Sequence, residues 1–248
     1  MNRILFAADE RGADDRVVLG GRRARHVLEI LKARPGDTLK VGELNGEIGT
    51  GHVERIADGV VELRVALQAA APAPWIDVLL ALPRPKILKR LWAQLAALGA
   101  GRIILINAAR VERCYFDTHW LAPGSFTPLL IEGLEQAGTT QLPEILVRRG
   151  FKPFVEDELP RDYARSAKLL AHPGGSPTSH VPRGGAAPGD GARPLLAIGP
   201  EGGWIAYELE QLESHGFSRL SMGPRILRTD TACIALLGSL MQTWGKVV

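Results

Sequence analysis

Cysteine is scarce in this chain. Cys114 and Cys233 are the only two among 248 residues, and no C-x-x-C pattern occurs. That excludes a disulfide framework and a cysteine-based zinc site, and it fits a reducing compartment. No histidine pair has metal-ligand spacing, so no metal is expected. Long apolar runs are also lacking. The longest near the C-terminus covers residues 232–241, far short of the roughly 18 that read as a membrane span. The opening MNRILFAADERG turns acidic before a signal-peptide core can form, so the expected location is cytoplasmic, with no membrane association. No G-x-x-x-x-G-K-[ST] phosphate loop and no nucleophile elbow are present. Charge is nearly balanced, with 30 basic against 27 acidic residues and a net charge of +3. This excess favours a polyanionic partner only weakly. A hydrophobic fraction of 46% excludes a wholly disordered chain.

What is present falls into two halves. Up to about residue 70 the chain reads as β. Residues 4–6, 38–44, 48–56 and 60–65 have strand composition, and 24–31 reads as a short helix closed by Pro35-Gly36-Asp37. Asn45-Gly46 predicts a type I′ hairpin, which needs positive φ at both central residues, and Asp58-Gly59 marks a second turn. Short strands with tight turns predict a small barrel. Residues 68–74, rich in Ala and Pro, read as a linker. Beyond it, strands at 76–82, 102–106, 145–147, 168–171, 195–198 and 219–222 alternate with helices at 87–98, 127–137, 207–215 and 229–244. Such alternation implies an α/β fold with a mostly parallel sheet. Residues 173–194 are mostly Gly, Pro, Ser and Ala, and read as a flexible insertion.

Two stretches carry candidate chemistry. Ile198-Gly199-Pro200-Glu201-Gly202-Gly203-Trp204 joins a strand to a helix, and in open α/β sheets ligands bind at the carboxyl ends of strands. Its glycines permit close approach of backbone to ligand, and its acid disfavours phosphate. A small uncharged or cationic ligand fits, with an ordinary strand-to-helix turn as the alternative. The stretch from Met222 to Ala232 again follows a strand and opens a helix. Thr229, Asp230 and Thr231 suit helix capping. Arg225 and Arg228 can bind phosphate, stabilise a developing oxyanion or form structural ion pairs. Basic residues cluster at Arg22, Arg23 and Arg25 with His26, at Arg84, Lys86, Lys89 and Arg90, and at Arg110 and Arg113. Singly each reads as a solvated face; together they form a candidate RNA track.

LLAIGPEGGW and LSMGPRILRTDTA, in that order, resemble the signature pair of the ribosomal RNA small subunit methyltransferase E family, within the SPOUT superfamily of knotted methyltransferases. Arg25-His26-Val27-Leu28 followed by Pro35-Gly36-Asp37 resembles its N-terminal segment. Leu98-Gly99 with Glu112-Arg113-Cys114, and Glu135-Gln136-Ala137-Gly138 with Leu142-Pro143-Glu144-Ile145, resemble its central ones. The chain departs from the family pattern in places. Gln94 and Ala97 stand where a lysine and a glutamate are usual, Val111 where a serine is common, and Thr139 or Thr140 where an arginine is usual. Asp230 replaces a glutamate, and Ile205-Ala206 replaces a capping serine.

The resemblance implies a SPOUT-type trefoil-knot domain over 75–248 and a PUA-like RNA-binding β-barrel over 1–70. It implies S-adenosylmethionine as cofactor, held by Leu196, Ile198, Gly199, Gly203, Met222, Gly223, Ile226, Leu227 and Thr231. It implies a homodimer that methylates N3 of a uridine in 16S ribosomal RNA of the small subunit. RNA contacts fall to Arg22, Arg23, Arg25, His26, Arg113 and Arg225. Arg228 is the candidate for stabilising charge on the uracil oxygens, and Glu201 for orienting the base or taking its proton. The departures leave two alternatives: a SPOUT enzyme acting at another RNA site, or a non-catalytic RNA-binding or assembly factor. The intact GPEGG and RILRTDTA favour the enzyme.

Overall fold

The computed structural model describes residues 2–177 and 192–244. The chain forms two compact units, Met1–Ala73 with Ile131–Leu142, and Pro74–Leu130 with Pro143–Val248.

In the first unit, β1 (Ile4–Phe6), β2 (Arg16–Leu19), β3 (Thr38–Glu43), β4 (Ile48–Ala57) and β5 (Val60–Ala69) form one sheet in the order β1-β3-β4-β5-β2. Only the β1–β3 pair is parallel. Helix α1 (Gly21–Arg25) continues through a wider π turn at His26–Ile30. Along β2, Val17 and Leu19 are buried while Arg16 and Val18 face out, the period-two pattern of a half-buried strand. These two residues join Phe6, Ala24, Val27, Val41, Val53 and Leu63 in a single core. The sequence reading omits β2, which spans only four residues.

The type I′ expectation fails at Asn45-Gly46. Asn45 has φ 60°, but Gly46 is not among the positive-φ glycines. Tertiary partners shape this longer turn: Asn45 Oδ1 accepts the Leu142 N–H at 2.9 Å, and the Thr140 hydroxyl donates to the Gly46 carbonyl at 2.6 Å. The I′ signature appears instead at Asp58 and Gly59, with φ 52° and 73° between paired Ala57 and Val60. Residues 131–142 belong with this unit, a return that the linear boundaries 1–70 and 75–248 do not contain. Both Asn2 and Arg3 donate backbone N–H groups to the Glu135 carbonyl, at 3.0 and 3.1 Å.

The second unit alternates β6 (Ile76–Ala81), α2 (Pro85–Ala97), β7 (Ala100–Ile106), the first part of α3 (Pro123–Ala137), which ends in the first unit, and β8 (Glu144–Arg148). Next, α4 (Phe151–Pro153) runs through a π turn at Phe154–Glu158 into α5 (Leu159–Asp162). Then follow β9 (Lys168–Pro177), β10 (Leu195–Ile198), α6 (Ala206–Ser214), β11 (Phe217–Ser221) and α7 (Thr229–Trp244). The six strands are parallel in the order β11-β9-β10-β6-β7-β8. Every residue of β6 and β10 is buried, as expected for a parallel sheet covered on both faces.

The structure corrects the insertion expected at 173–194. Residues 173–177 extend β9, with Ser176 and Pro177 paired to Leu220 and Ser221 of β11. The Gly175 backbone passes so close to β11 that a Cβ there would lie 2.6 Å from the Leu220 nitrogen. Glycine serves strand contact at this point rather than looseness. Residues 178–191 of that expectation lie outside the described residues.

Asp77 lies near the N-terminal edge of the sheet, in β6. Its buried carboxylate accepts from Arg193 Nε at 2.6 Å, the Arg102 N–H at 2.9 Å and the Tyr163 hydroxyl at 3.1 Å. Burial, with this carboxylate second, pushes the Tyr163 hydroxyl well above its ordinary pKa. Removing one partner of a buried ion pair leaves the others unpaired in low dielectric. Asp77→Ala should therefore lower the unfolding free energy by about 3 kcal/mol, measured by denaturant titration.

Candidate functional site

Because the strands are parallel, their carboxyl ends share one edge, and a cavity of about 450 Å³ lies there. Its walls are the end of β10 with the loop to Trp204, the end of β11 with Met222, Gly223 and residues 225–227 beyond it, the Ala171–Pro173 part of β9, and Thr229, Ala232 and Leu236 of α7. Arg110, from the loop after β7, completes the lining.

Glycine is required at specific points of this wall. A Cβ on Gly199 would lie 3.0 Å from Trp204 Nε1 and 3.1 Å from its Cδ1. Gly203 and Gly223 adopt φ 75° and 109°, a region that side-chain-bearing residues rarely enter. The buried Trp204 ring packs against Phe151 with centroids 6.0 Å apart. Its indole N–H has no partner among the described residues.

Two carboxylates and one guanidinium hold the loop after β10. Glu208, only 3% exposed, accepts the Ile205 N–H at 3.0 Å and the Ala109 N–H at 2.7 Å. It thus satisfies one orphan donor at the start of α6 and one in the loop after β7. Glu201 accepts the N–H of Arg84, just before α2, at 3.0 Å. Arg110 Nη1 donates to the Gly202 carbonyl.

Of the residues singled out from sequence, Ile198, Gly199, Glu201, Gly203, Met222, Gly223, Arg225, Ile226 and Leu227 come together on the cavity wall. Three of the candidate cofactor-binding and catalytic residues do not line it. Leu196 is buried within β10, Thr231 is exposed on the first turn of α7, and Arg228 is exposed just before that helix. Asp230 pairs with Arg90 at 2.6 Å and accepts the Thr231 N–H at 3.0 Å. Of the acids in the two motifs, Glu201 accepts the Arg84 N–H and Asp230 pairs with Arg90, and neither pairs with Arg228. Among the described residues Arg113, Arg225 and Arg228 have no acidic partner within ion-pair distance.

The N-terminal basic cluster lies in the first unit. Arg22 pairs with buried Glu135 at 2.8 Å. Arg23 pairs with Glu10 and donates to the Leu5 carbonyl at 2.9 Å. Arg25 is exposed. His26 is half-buried, its Nε2 lacks a partner among the described residues, and desolvation holds its pKa below the ordinary value.

Sequence reasoning missed Glu208, Trp204 and the part played by Arg110. An acid three residues after a helix's first flanking residue is a capping-box signal. Ile205 at that flanking position lacks the hydroxyl that makes the motif recognisable.

Residues 71–241 match the RNA methyltransferase domain family. A Treponema pallidum protein named ribosomal RNA small subunit methyltransferase E is 31% identical over 244 residues, covering 95% of this chain and 88% of that protein. A Borreliella burgdorferi protein named ribosomal RNA small subunit methyltransferase E 1 is 25% identical over 237 residues, covering 95% of each. Among solved structures, a Legionella pneumophila protein in complex with the cofactor SAM superposes with a TM-score of 0.74 at 26% identity, over 97% of both chains. A ribosomal RNA small subunit methyltransferase E from Neisseria gonorrhoeae shares the fold with a TM-score of 0.75 at 19% identity, over 98% of both chains.

Truncating Glu208 strands two backbone donors at once. Glu208→Ala should cost about 3 kcal/mol of stability. Hydrogen exchange should accelerate most at the Ala109 and Ile205 amides; uniform acceleration across the unit would indicate general loosening instead.

Proposed function

The chain belongs to the ribosomal RNA small subunit methyltransferase E family, and on that premise we propose that it transfers a methyl group from S-adenosylmethionine to N3 of a uridine in 16S ribosomal RNA. The observation that carries this reading is the cavity itself: residues of both family motifs, which leave different strands, line it together.

The residues present fit the cofactor. A volume of about 450 Å³ lies within the range of small-molecule sites, and Gly199 leaves no room for a side chain beside Trp204. In this reading Ile198, Gly199, Gly203, Met222, Gly223, Ile226 and Leu227 hold it, with Leu196 and Thr231 at the margins. S-adenosylmethionine, when bound, supplies an electrophilic methyl group.

The protein's task is mainly to position the uracil. As N3 loses its proton, negative charge spreads onto the two carbonyl oxygens. Arg228, with no acidic partner among the described residues, is free to stabilise that charge. Glu201, on the cavity wall, orients the base or takes the proton. Arg113 and Arg225 contact RNA phosphates, together with Arg22, Arg23, Arg25 and His26 of the first unit.

The wider architecture follows the same reading. The order β9-β10-β6, in which a late strand lies between two earlier ones, supports a trefoil knot over 75–248. The five-stranded sheet around one core supports a PUA-like barrel in the first unit. Exposed Met222, Leu227 and Ile234, with Ile226 86% exposed, support a homodimer formed on this apolar segment. No helix among the described residues is long and apolar enough to cross a membrane, and a ribosomal substrate supports a cytoplasmic location. A different RNA position is the second reading. Thr139, where the family usually has an arginine, donates to the Pro72 carbonyl at 3.2 Å.

Mass spectrometry of 16S ribosomal RNA tests the substrate. A deletion strain should lose one 3-methyluridine that a plasmid copy restores, and an unchanged nucleotide profile would overturn the assignment. Arg228→Ala should lower single-turnover methylation about 10²–10³-fold while leaving donor affinity and melting temperature unchanged. Lysine should rescue only part of the rate, because it keeps the charge but loses the planar fork. A matching loss of donor affinity would move Arg228 from catalysis to binding.

A further inference from the structure

We propose that Arg110 is a positioning residue that clamps the cofactor loop, acting on the Gly202–Gly203 backbone rather than on RNA phosphate. The inference rests on the proposed S-adenosylmethionine site and names a residue for it outside both family motifs.

Arg110 projects from a fixed base. Its neighbours Ala108 and Val111 are buried. The Val111 N–H donates to the Ala108 carbonyl at 3.0 Å, and Glu208 holds the Ala109 N–H at 2.7 Å. From that base the side chain lies along Gly202. A Cβ on Gly202 would meet Arg110 Cδ at 3.0 Å and Arg110 Cβ at 3.3 Å. The guanidinium then donates to the Gly202 carbonyl.

The segment it grips is a tight turn. The Gly203 N–H donates to the Pro200 carbonyl at 2.8 Å, and Gly203 itself sits at φ 75°. Glycine has the most conformational freedom to lose on ordering, so Gly202-Gly203 gains most from an external brace. No acid neutralises Arg110 among the described residues, and the carbonyl takes up part of its hydrogen-bonding capacity. Stem, head and base thus all act on the loop that carries Gly199 and Gly203. The clamp reduces the ordering cost of binding, so its loss weakens cofactor affinity.

Gly202 supplies an independent test. Its φ is not in the positive region, so the backbone accepts alanine, but the added methyl occupies the place of the Arg110 stem. The full-length protein is titrated with S-adenosylmethionine by calorimetry as wild type, Arg110→Ala, Gly202→Ala and the double variant. RNA affinity is followed against salt in parallel. Each single variant should weaken cofactor binding about tenfold, the low end for a charged hydrogen bond at an exposed site. The double variant should be no weaker than Arg110→Ala, because both changes remove one contact. The slope of RNA affinity against salt should not change.

Unaltered cofactor affinity in Arg110→Ala overturns the clamp. So do additive effects in the double variant, or a salt slope reduced by about 0.7–0.9, the mark of one lost phosphate contact. Should Arg110→Ala fail to fold, Gly202→Ala alone decides between tenfold weakening and none. A wild-type protein that does not bind S-adenosylmethionine overturns the cofactor reading itself, whereas wild-type binding with unaffected variants overturns the clamp alone.

Discussion

The site depends on the placement of β10 between β6 and β9. Leu195–Ile198 pairs with Asp77–Leu80 on one side, and its first three residues pair with Lys168–Leu170 on the other. All of these residues except Lys168 are buried. In a sheet covered on both faces, a shift along the strand would leave backbone groups without ladder partners in low dielectric. The register is therefore fixed, and with it the point where Gly199 leaves the sheet. The cavity wall inherits its position from four buried residues that do not themselves react.

Loops at the carboxyl edge face the opposite problem, since their amides have no ladder to join. Here carboxylates take that part. Glu208 serves Ile205 and Ala109, and Glu201 serves Arg84. Charge-assisted bonds of this kind are stronger than neutral ones and orient what they hold. Three loops after three different strands are thereby set against each other by contacts spanning 3, 99 and 117 residues of sequence.

How much of this could be read from the chain follows from the range of the forces involved. The bounds of β10 and α7, Leu195–Ile198 and Thr229–Trp244, coincide with the predicted spans. Continuous burial and the glycine loop that follows specify β10 locally, and the Thr229-Asp230 start with helically spaced apolar residues specifies α7. The positions of Gly199, Gly203 and Gly223 were legible for the same reason. Other features were not. The helical stretch Phe151–Asp162 carries Pro153 and Pro160, which weaken any local helix signal. The turn at Asn45 is set by Thr140 and Leu142, nearly a hundred residues away. Residues 173–177 look like a linker by composition, yet they form a strand because Gly175 permits contact with Leu220. Arg110 carries no local sign of its position, since Gly202 is 92 residues distant.

The same distinction governs charge. A net charge of +3 says little, because much of the basic content is neutralised in place. Arg23 is held by Glu10, Arg22 by Glu135, Arg90 by Asp230 and Arg193 by Asp77. Around the cavity the pattern differs. Arg225 lines it and Arg228 follows on the same segment, and neither meets an acid among the described residues. The acids that do approach, Glu201 and Asp230, spend their oxygens on a backbone amide and on Arg90. Arg225 and Arg228 are thus left without an ion-pair partner among the described residues although the whole chain is nearly neutral. Where charges are unpaired beside a low-dielectric wall, their local field acts on polyanions more effectively than net charge does. What a polyanion meets at the carboxyl edge of the sheet is thus set by which arginines the fold leaves unpaired there, more than by the net charge of the chain.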